Sequence, residues 1–382
     1  MTATTVQPQP AVVVGVDAHK DTHHGVILTT TGQRLADRQF EATSAGYRQL
    51  RDWVREFGAE AVFAVESTGS YGAGLTRYLL DAGHEVREVN TPHAHAKARR
   101  GKTDALDAEA AARKVLAGDA IASPKTSSGA VESIRMLTVA RNSAVKARSV
   151  ALVQLQSVLV TAPASLREQI TVTGIRRQAA VCGKFRPDIA RLSDPVQAAK
   201  LTLKTLAQRI TELDTEIAAL DSHLETLVAD VAPTLVSRTG IGAGHAAQFL
   251  ITAGQNVQRL HSEAAFARLC GAAPIPVSSG RTDRMRLHRG GDRQANRALH
   301  MVVVVRLRFD QRTIDYMRRR RAEGLSKKDV MRCLKRFIAR EVYHDLRTDL
   351  APLIEPLNAI SRAIPDTTVE SCGTLLCGGS KC

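Results

Sequence analysis

Two apolar runs in the first 66 residues each stop on a carboxylate, and that pattern narrows the fold more than anything else in the chain. Val12-Val13-Val14-Gly15-Val16 ends on Asp17, and Ala61-Val62-Phe63-Ala64-Val65 ends on Glu66. Short apolar runs bounded by turn residues read as buried strands. A carboxylate at the end of such a strand stands at the open edge of the sheet, where α/β folds take their ligands. Two further acids, Asp104 and Asp107, lie three apart in Lys102-Thr103-Asp104-Ala105-Leu106-Asp107-Ala108, so a helix carries them on one face. Singly, each acid has an ordinary explanation: a turn former at Asp17, a rim charge at Glu66, a helix N-terminal carboxylate at Asp104. Together they make a set of anions that only a cation neutralises, and hard oxygen ligands select Mg²⁺ or Mn²⁺. The expected chemistry is phosphoryl transfer on nucleic acid.

The surrounding elements give these acids a common location. The sequence predicts strands ending at Asp17, around His24–Thr29 and around 34–40, a helix over about 44–57, the strand ending at Glu66, a helix running to Ala82, a short strand Glu85–Val89, and a helix carrying Asp104 and Asp107 that closes near Leu116. The order βββαβαβα is the ribonuclease H-like arrangement, an α/β fold with its first and fourth strands adjacent. Asp17 and Glu66 then meet although 49 residues separate them. His19, two residues after Asp17 where another carboxylate would otherwise stand, argues against an exonuclease subtype with Asp-x-Glu on its first strand.

The Ser/Pro/Gly-containing stretch 122–129 ends this first domain, assigned to residues 11–120. A helical region follows over 130–232, with Leu203, Leu206, Ile210, Leu213, Ile217, Leu220, Leu224 and Leu227 spaced alternately by three and four. That regularity favours a coiled-coil seam, and with it a homodimer, over an amphipathic helix packed on its own domain. A mostly α-helical C-terminal domain is expected over 233–350, with helices near 263–269, 293–310 and 327–345. Residues 351–382 are expected to be a disordered tail. Thr239-Gly240-Ile241-Gly242-Ala243-Gly244 resembles the turn of a helix-hairpin-helix module, in which Gly240 and Gly242 expose backbone amides to a DNA phosphate. A plain glycine-rich helix cap is the competing explanation.

Lys and Arg exceed Asp and Glu by 15, and the excess is concentrated. Between Arg281 and Arg347 there are 20 basic and 8 acidic side chains, a local surplus of 12. Such a footprint suits a polyanion. No run is apolar and long enough to span a bilayer, and no secretory signal pattern opens the chain, so a cytoplasmic, nucleoid-associated protein without a membrane partner is expected. The six cysteines show no metal spacing and are expected as reduced thiols.

A second segment carries potential chemistry. Ala273-Pro274-Ile275-Pro276-Val277-Ser278-Ser279-Gly280-Arg281 reads as a Pro/Gly-framed loop, followed by Arg284, Arg286, His288 and Arg289. A serine there could attack a phosphodiester while arginine forks hold the phosphate. An ordinary turn whose hydroxyl caps a backbone group explains the same residues.

Taken in order, Gly15-Val16-Asp17-Ala18-His19-Lys20, Val65-Glu66-Ser67-Thr68-Gly69, the Asp104/Asp107 segment, Thr239-Gly240-Ile241-Gly242 and the Pro274–Gly280 loop with its basic continuation resemble the DEDD-motif insertion-sequence transposases. The resemblance covers about residues 11–347. It implies a RuvC-like N-terminal domain, a coiled-coil connector and a serine-containing C-terminal domain. Mg²⁺ (or Mn²⁺) would be bound by Asp17, Glu66, Asp104 and Asp107. Ser279, the second of two adjacent serines, would form a covalent phosphoserine link to DNA. The resemblance further implies donor and target double-stranded DNA, a structured guide RNA encoded by the element, and assembly beyond the dimer to a tetramer. Arg281, Arg284, Arg286 and Arg289 would contact nucleic acid. Two other readings stay open: a junction-resolving or structure-specific endonuclease using metal-activated water, and a catalytically inactive nucleic-acid-binding protein.

Overall fold

The computed structural model of the 382-residue chain describes residues 12–58, 60–89, 103–126, 128–288 and 290–362. The N-terminal unit is a five-stranded mixed sheet. Its strands are β1 (Val12–Ala18), β2 (Thr22–Thr29), β3 (Arg34–Glu41), β4 (Ala61–Glu66) and β5 (Glu85–Val89), in the order β3-β2-β1-β4-β5. β1 pairs antiparallel with β2 and parallel with β4, in a register that sets Val16 against Val65. This is the expected adjacency of first and fourth strands, and it follows from burial. Every residue of β1 and β4 is buried, so both strands need the centre of the sheet and helices on each face.

The period of two in a strand sorts those buried residues. Val12, Val14, Val16, Ala61, Phe63 and Val65 join one core beneath α1 (Ser44–Arg55) and α2 (Ala73–Asp81). Val13 and Ala64 face the opposite way, toward α3 (Asp104–Leu116), where Ala108, Ala111 and Ala112 are fully buried. Because Gly15 lies between Val13 and Asp17 on that face, α3 approaches closely. A Cβ on Gly15 would stand 1.8 Å from the Ala108 carbonyl oxygen.

Two long helices follow, α4 (Gly129–Thr161) and α6 (Pro195–Val231), with the short α5 (Ile175–Cys182) between them. They run antiparallel, since Arg141 pairs with Asp221 at 2.7 Å and Arg148 with Asp214 at 2.5 Å. Of the seam residues on α6, Leu203, Ile210, Ile217 and Leu224 are buried, while the other four are half-buried. On α4 the buried set is Val131, Ile134, Ala144, Ala151, Leu155 and Leu159. The seam therefore packs within the chain, as an amphipathic helix does on its own unit, and a coiled coil between subunits is not what buries it. A three-four pattern encodes a partner helix without saying whose it is.

The C-terminal unit is mostly helical: α7 (Ala243–Ala253), α8 (Glu263–Leu269), α9 (Arg293–Phe309), α10 (Gln311–Ala322) and α11 (Lys327–Arg362). Its core takes in the near ends of α4 and α6 through Val131, Ile134, Leu224, Val228 and Val231. α11 continues past residue 350, and residues 363–382 lie outside the described residues. The segment read as a loop is instead a β-hairpin, β6 (Pro274–Ser279) and β7 (Thr282–Leu287). The prolines and glycine that suggested a loop sit on a two-stranded ribbon in which both strands are edges, where proline is tolerated. Among the described residues, Cys182, Cys270 and Cys333 are free, and burial pushes the Cys182 thiol up to about 11. No helix among them is long and apolar enough to cross a membrane.

Candidate active site

The strand register and the small residues of α3 together build an acidic edge. Asp17 follows Val16, and Glu66 follows Val65, so the two carboxylates end adjacent parallel strands on the α3 face of the sheet. Both are buried. The same signal precedes each: a small residue two positions earlier, Gly15 before Asp17 and Ala64 before Glu66, leaves room for the helix that lies over them. Immediately after Glu66, Ser67 adopts a left-handed conformation (φ 56°), and a Cβ on Gly72 would stand 2.8 Å from the Glu66 carbonyl oxygen. A non-glycine residue held there is strained, a condition that concentrates at functional sites.

Thr103 starts α3 by accepting a hydrogen bond from the Leu106 amide at 3.3 Å. The cap fixes the first turn, which carries Asp104 and Asp107. Asp107 is buried beneath the helix, and Asp104 is half exposed above it. Burial raises the Asp17 carboxyl above its ordinary range; His19 opposes this, and the charges of Asp107 and Asp104 add to it. Asp107 and Asp104 thus act on Asp17, with Glu66 beside it on the neighbouring strand.

His19 is the residue that sequence reasoning undervalued. Its Nε2 lies 3.1 Å from Asp17 Oδ2 and 3.4 Å from Asp104 Oδ1. Asp17, His19 and Asp104 offer ligand atoms all within 4.8 Å of one another. The two-residue spacing from Asp17 across a strand end was the available signal. The donor set fits a divalent cation: a desolvated carboxylate crowded by others is the group whose charge a cation relieves, and oxygen donors dominate the cluster.

The second set of candidates lies in the C-terminal unit. Ser279 and Ser278 are exposed at the end of β6, and Ser279 pairs with Thr282 across the two-residue Gly280-Arg281 turn. Gly280 takes φ 57°, the left-handed first position that such a turn demands. Alternation places Ser279 on the hairpin face of the half-buried Ile275 and Val277, and Ser278 on the other with Pro274 and Pro276. Arg281 and Arg286 are exposed on this hairpin; Arg284 belongs to β7, and Arg289 lies outside the described residues. Gly240 (φ 83°) and Gly242 open α7 beside a cavity of about 800 Å³ that Arg141 and Arg297 also line, and Gly242 has open space where a Cβ would stand. The structure brings the four acids to one edge and places the serine hairpin in the other unit.

Two family profiles match these two units. Residues 14–162 match the DEDD transposase profile of the IS110 type, and residues 232–318 match the transposase IS116/IS110/IS902 family. The chain resembles the IS110-type DEDD transposases. A 42 kDa protein of insertion element IS900 from Mycobacterium paratuberculosis is 26% identical over 358 residues, covering 82% of this chain and 90% of that protein. A 43.6 kDa protein of insertion element IS110 from Streptomyces coelicolor (strain ATCC BAA-471 / A3(2) / M145) is 26% identical over 366 residues, covering 82% and 88%. At the general level the IS110-type resemblance makes this a DNA-recombining enzyme of the insertion-sequence kind, whose DEDD unit accords with use of a divalent metal.

Proposed function

We propose that the chain excises and inserts its own element by a two-part site, the acidic edge at Asp17, Glu66, Asp104 and Asp107 and the nucleophile Ser279. The observation that carries this is the acidic edge itself, closed by α3 over Gly15 in a chain that resembles transposases. A Mg²⁺ or Mn²⁺ ion held by the four acids supplies charge neutralisation at the scissile phosphate when bound. The acids fix that position from three rigid elements, and His19 sets the lateral placement of Asp17 and Asp104. The Ser279 Oγ–P bond forms as a P–O bond to a deoxyribose oxygen breaks, and the hydroxyl proton ends on the departing oxygen. Attack by another strand end reverses this, so strands exchange without a nucleotide cofactor. Arg281 and Arg286, with Arg284 and Arg289 of the same basic segment, hold backbone phosphates. The amides at Gly240 and Gly242 hold another at the start of α7.

A serine needs a base or a neutralised phosphate to become nucleophilic, and the hairpin offers cations but no catalytic carboxylate set. We therefore assign the acidic edge and the serine of one reaction to different subunits. With the α6 seam occupied, an exposed apolar stripe on α4 (Met136, Val139, Val150, Val153 and Val160) supports a dimer, and pairing of dimers makes a tetramer. A structured guide RNA belongs to the same reading: a local surplus of 12 cations with only 4% aromatic residues suits backbone rather than base recognition. Mixing an Asp17→Ala protein with a Ser279→Ala protein tests the shared site. Recovery of strand exchange from two dead proteins supports it, and none recovered counts against it. A protein–DNA adduct that survives denaturation and maps to Ser279 separates this reading from a water-using endonuclease.

A further inference from the structure

The root of the serine hairpin sits between two cavities of opposite character. One, of about 390 Å³, lies between Pro274 and Met285 of the hairpin and Tyr316, Cys333 and Phe337 of α10 and α11. Tyr316 and Phe337 meet edge to face at 5.5 Å. Phe337 and Met285 are 53% and 66% exposed, so large apolar surface faces open space there. The other cavity, of about 460 Å³, is basic, with Arg293, Lys328 and Arg332 in its wall, Arg332 being paired with Asp329 at 2.5 Å. Its acid, Asp292, is engaged elsewhere, accepting from the amides of Gln294 and Ala295 and from the Thr252 hydroxyl.

Lys335 belongs to both cavities. Its Nζ donates to Asn296 Oδ1 at 3.0 Å, and among the described residues no carboxylate pairs with it. Burial, and then the charge of Arg332, pull its ammonium below the ordinary lysine range. A half-buried cation without a counter-ion is a costly arrangement in a free protein, and an anion beside it removes the cost. Asn296 also donates to the carbonyls of Cys270 and Gly271 at 2.8 and 3.0 Å, so Lys335 and the hairpin root are fixed to one another. Gly271 and Gly291 cinch that root: a Cβ on Gly291 would stand 2.5 Å from the Leu269 carbonyl oxygen.

An apolar, aromatic-walled cavity joined through Lys335 and the Asp329-paired Arg332 to a basic cavity has the two-part chemistry of a nucleotide. We propose that an unpaired nucleotide of a DNA strand occupies it, its base against Phe337, Tyr316 and Met285 and its phosphate on Lys335. The proposal rests on the nucleic-acid reading above and adds a specific site to it. A DNA strand is favoured because the hairpin that roofs the cavity carries Ser279 at its far end. Five residues of strand separate Pro274 from Ser279, roughly 17 Å at about 3.3 Å per residue, or about five base steps of a DNA strand. The cavity would hold an unpaired nucleotide that far from the serine and so set the distance between strand opening and the reacting phosphate.

Fluorescence anisotropy of the full chain with a single-stranded DNA oligonucleotide, and with a fully abasic strand of the same length, tests this. The intact strand is expected to bind roughly tenfold or more tighter than the abasic one, the size of one good base–aromatic stack. Phe337→Ala should remove that difference by weakening only the intact strand, and Phe337→Tyr should restore it. Lys335→Gln should weaken both strands alike and reduce the salt slope by about one phosphate contact. Phe337 is half exposed, so its loss leaves the fold intact, and an unchanged thermal melt verifies that. Equal weakening of intact and abasic strands by Phe337→Ala, or no weakening of either, overturns the proposal and leaves the transposase reading standing. The same base dependence with RNA but not DNA strands overturns the assignment to DNA. Failure to bind any strand overturns both.

Discussion

Gly15 shows how much one missing methyl group decides. The position lies on a buried strand where β-branched residues are otherwise the rule, and a glycine there weakens the strand by itself. Its return is the approach of α3, which carries two acids over the other two. Gly15→Ala is expected to cost about 1–3 kcal/mol of stability through overpacking and to lower metal affinity with it. Calorimetry and a metal titration on the same variant measure both. Asp17 behaves in the opposite sense. Burial and the neighbouring Asp107 and Asp104 disfavour its charge, so Asp17→Asn should abolish DNA cleavage without lowering the melting temperature in metal-free buffer. Mg²⁺ or Mn²⁺ should raise the melting temperature of the native protein by mass action and leave that of Asp17→Asn unchanged. A cation-induced rise that persists in the variant would place the metal elsewhere.

Among the elements, the two long helices separate two roles that one heptad pattern conflated. Ile217 is buried against α4, and Ile217→Ala is expected to cost about 2–5 kcal/mol with no change in subunit number. Val153 is 70% exposed on α4, and Val153→Glu should leave the melting temperature unaltered while dissociating the assembly in analytical ultracentrifugation. A changed assembly with Ile217→Ala but not with Val153→Glu would return the dimer to the α6 seam. At the start of α3, Thr103→Ala removes the cap that fixes the first turn and should cost about 1 kcal/mol, with a larger effect on cleavage than on melting because Asp104 depends on that turn. The hairpin was illegible for a physical reason. Pro274 and Pro276 are poor strand residues in a sheet interior, but a two-stranded ribbon has only edges, and no local feature says that a ribbon will be left without neighbours.

At the scale of the whole molecule, the connection between the units is not a loose tether. Asn256 donates to the Pro124 carbonyl at 2.9 Å and accepts from the Thr126 amide at 3.0 Å, while Lys125 Nζ donates to the Ile251 carbonyl at 2.9 Å. Asn256→Ala should loosen the coupling and split thermal unfolding into two transitions by calorimetry; one cooperative transition with an unchanged midpoint would show that these bonds do not couple the units. Within the N-terminal unit, strand order and element ends were readable because long buried runs leave few places for a strand to go. That the closing helix lays its two acids over the same edge was read as well; how closely α3 packs there was not, although Gly15 and Ala64 before the two acids encode it. His19 looked incidental because its contact with Asp104 spans 85 positions in the chain.

The sequence by itself determined the sheet, the acids at its edge and the basic character of the last third, since each is a matter of local periodicity and charge. The tertiary structure decided how closely the covering helix approaches those acids, that the leucine seam closes on its own chain, and that the serine segment is a hairpin rooted over two cavities. Those outcomes depend on which surfaces meet across long stretches of chain, where many pairings satisfy the same local pattern and only packing at close range selects one.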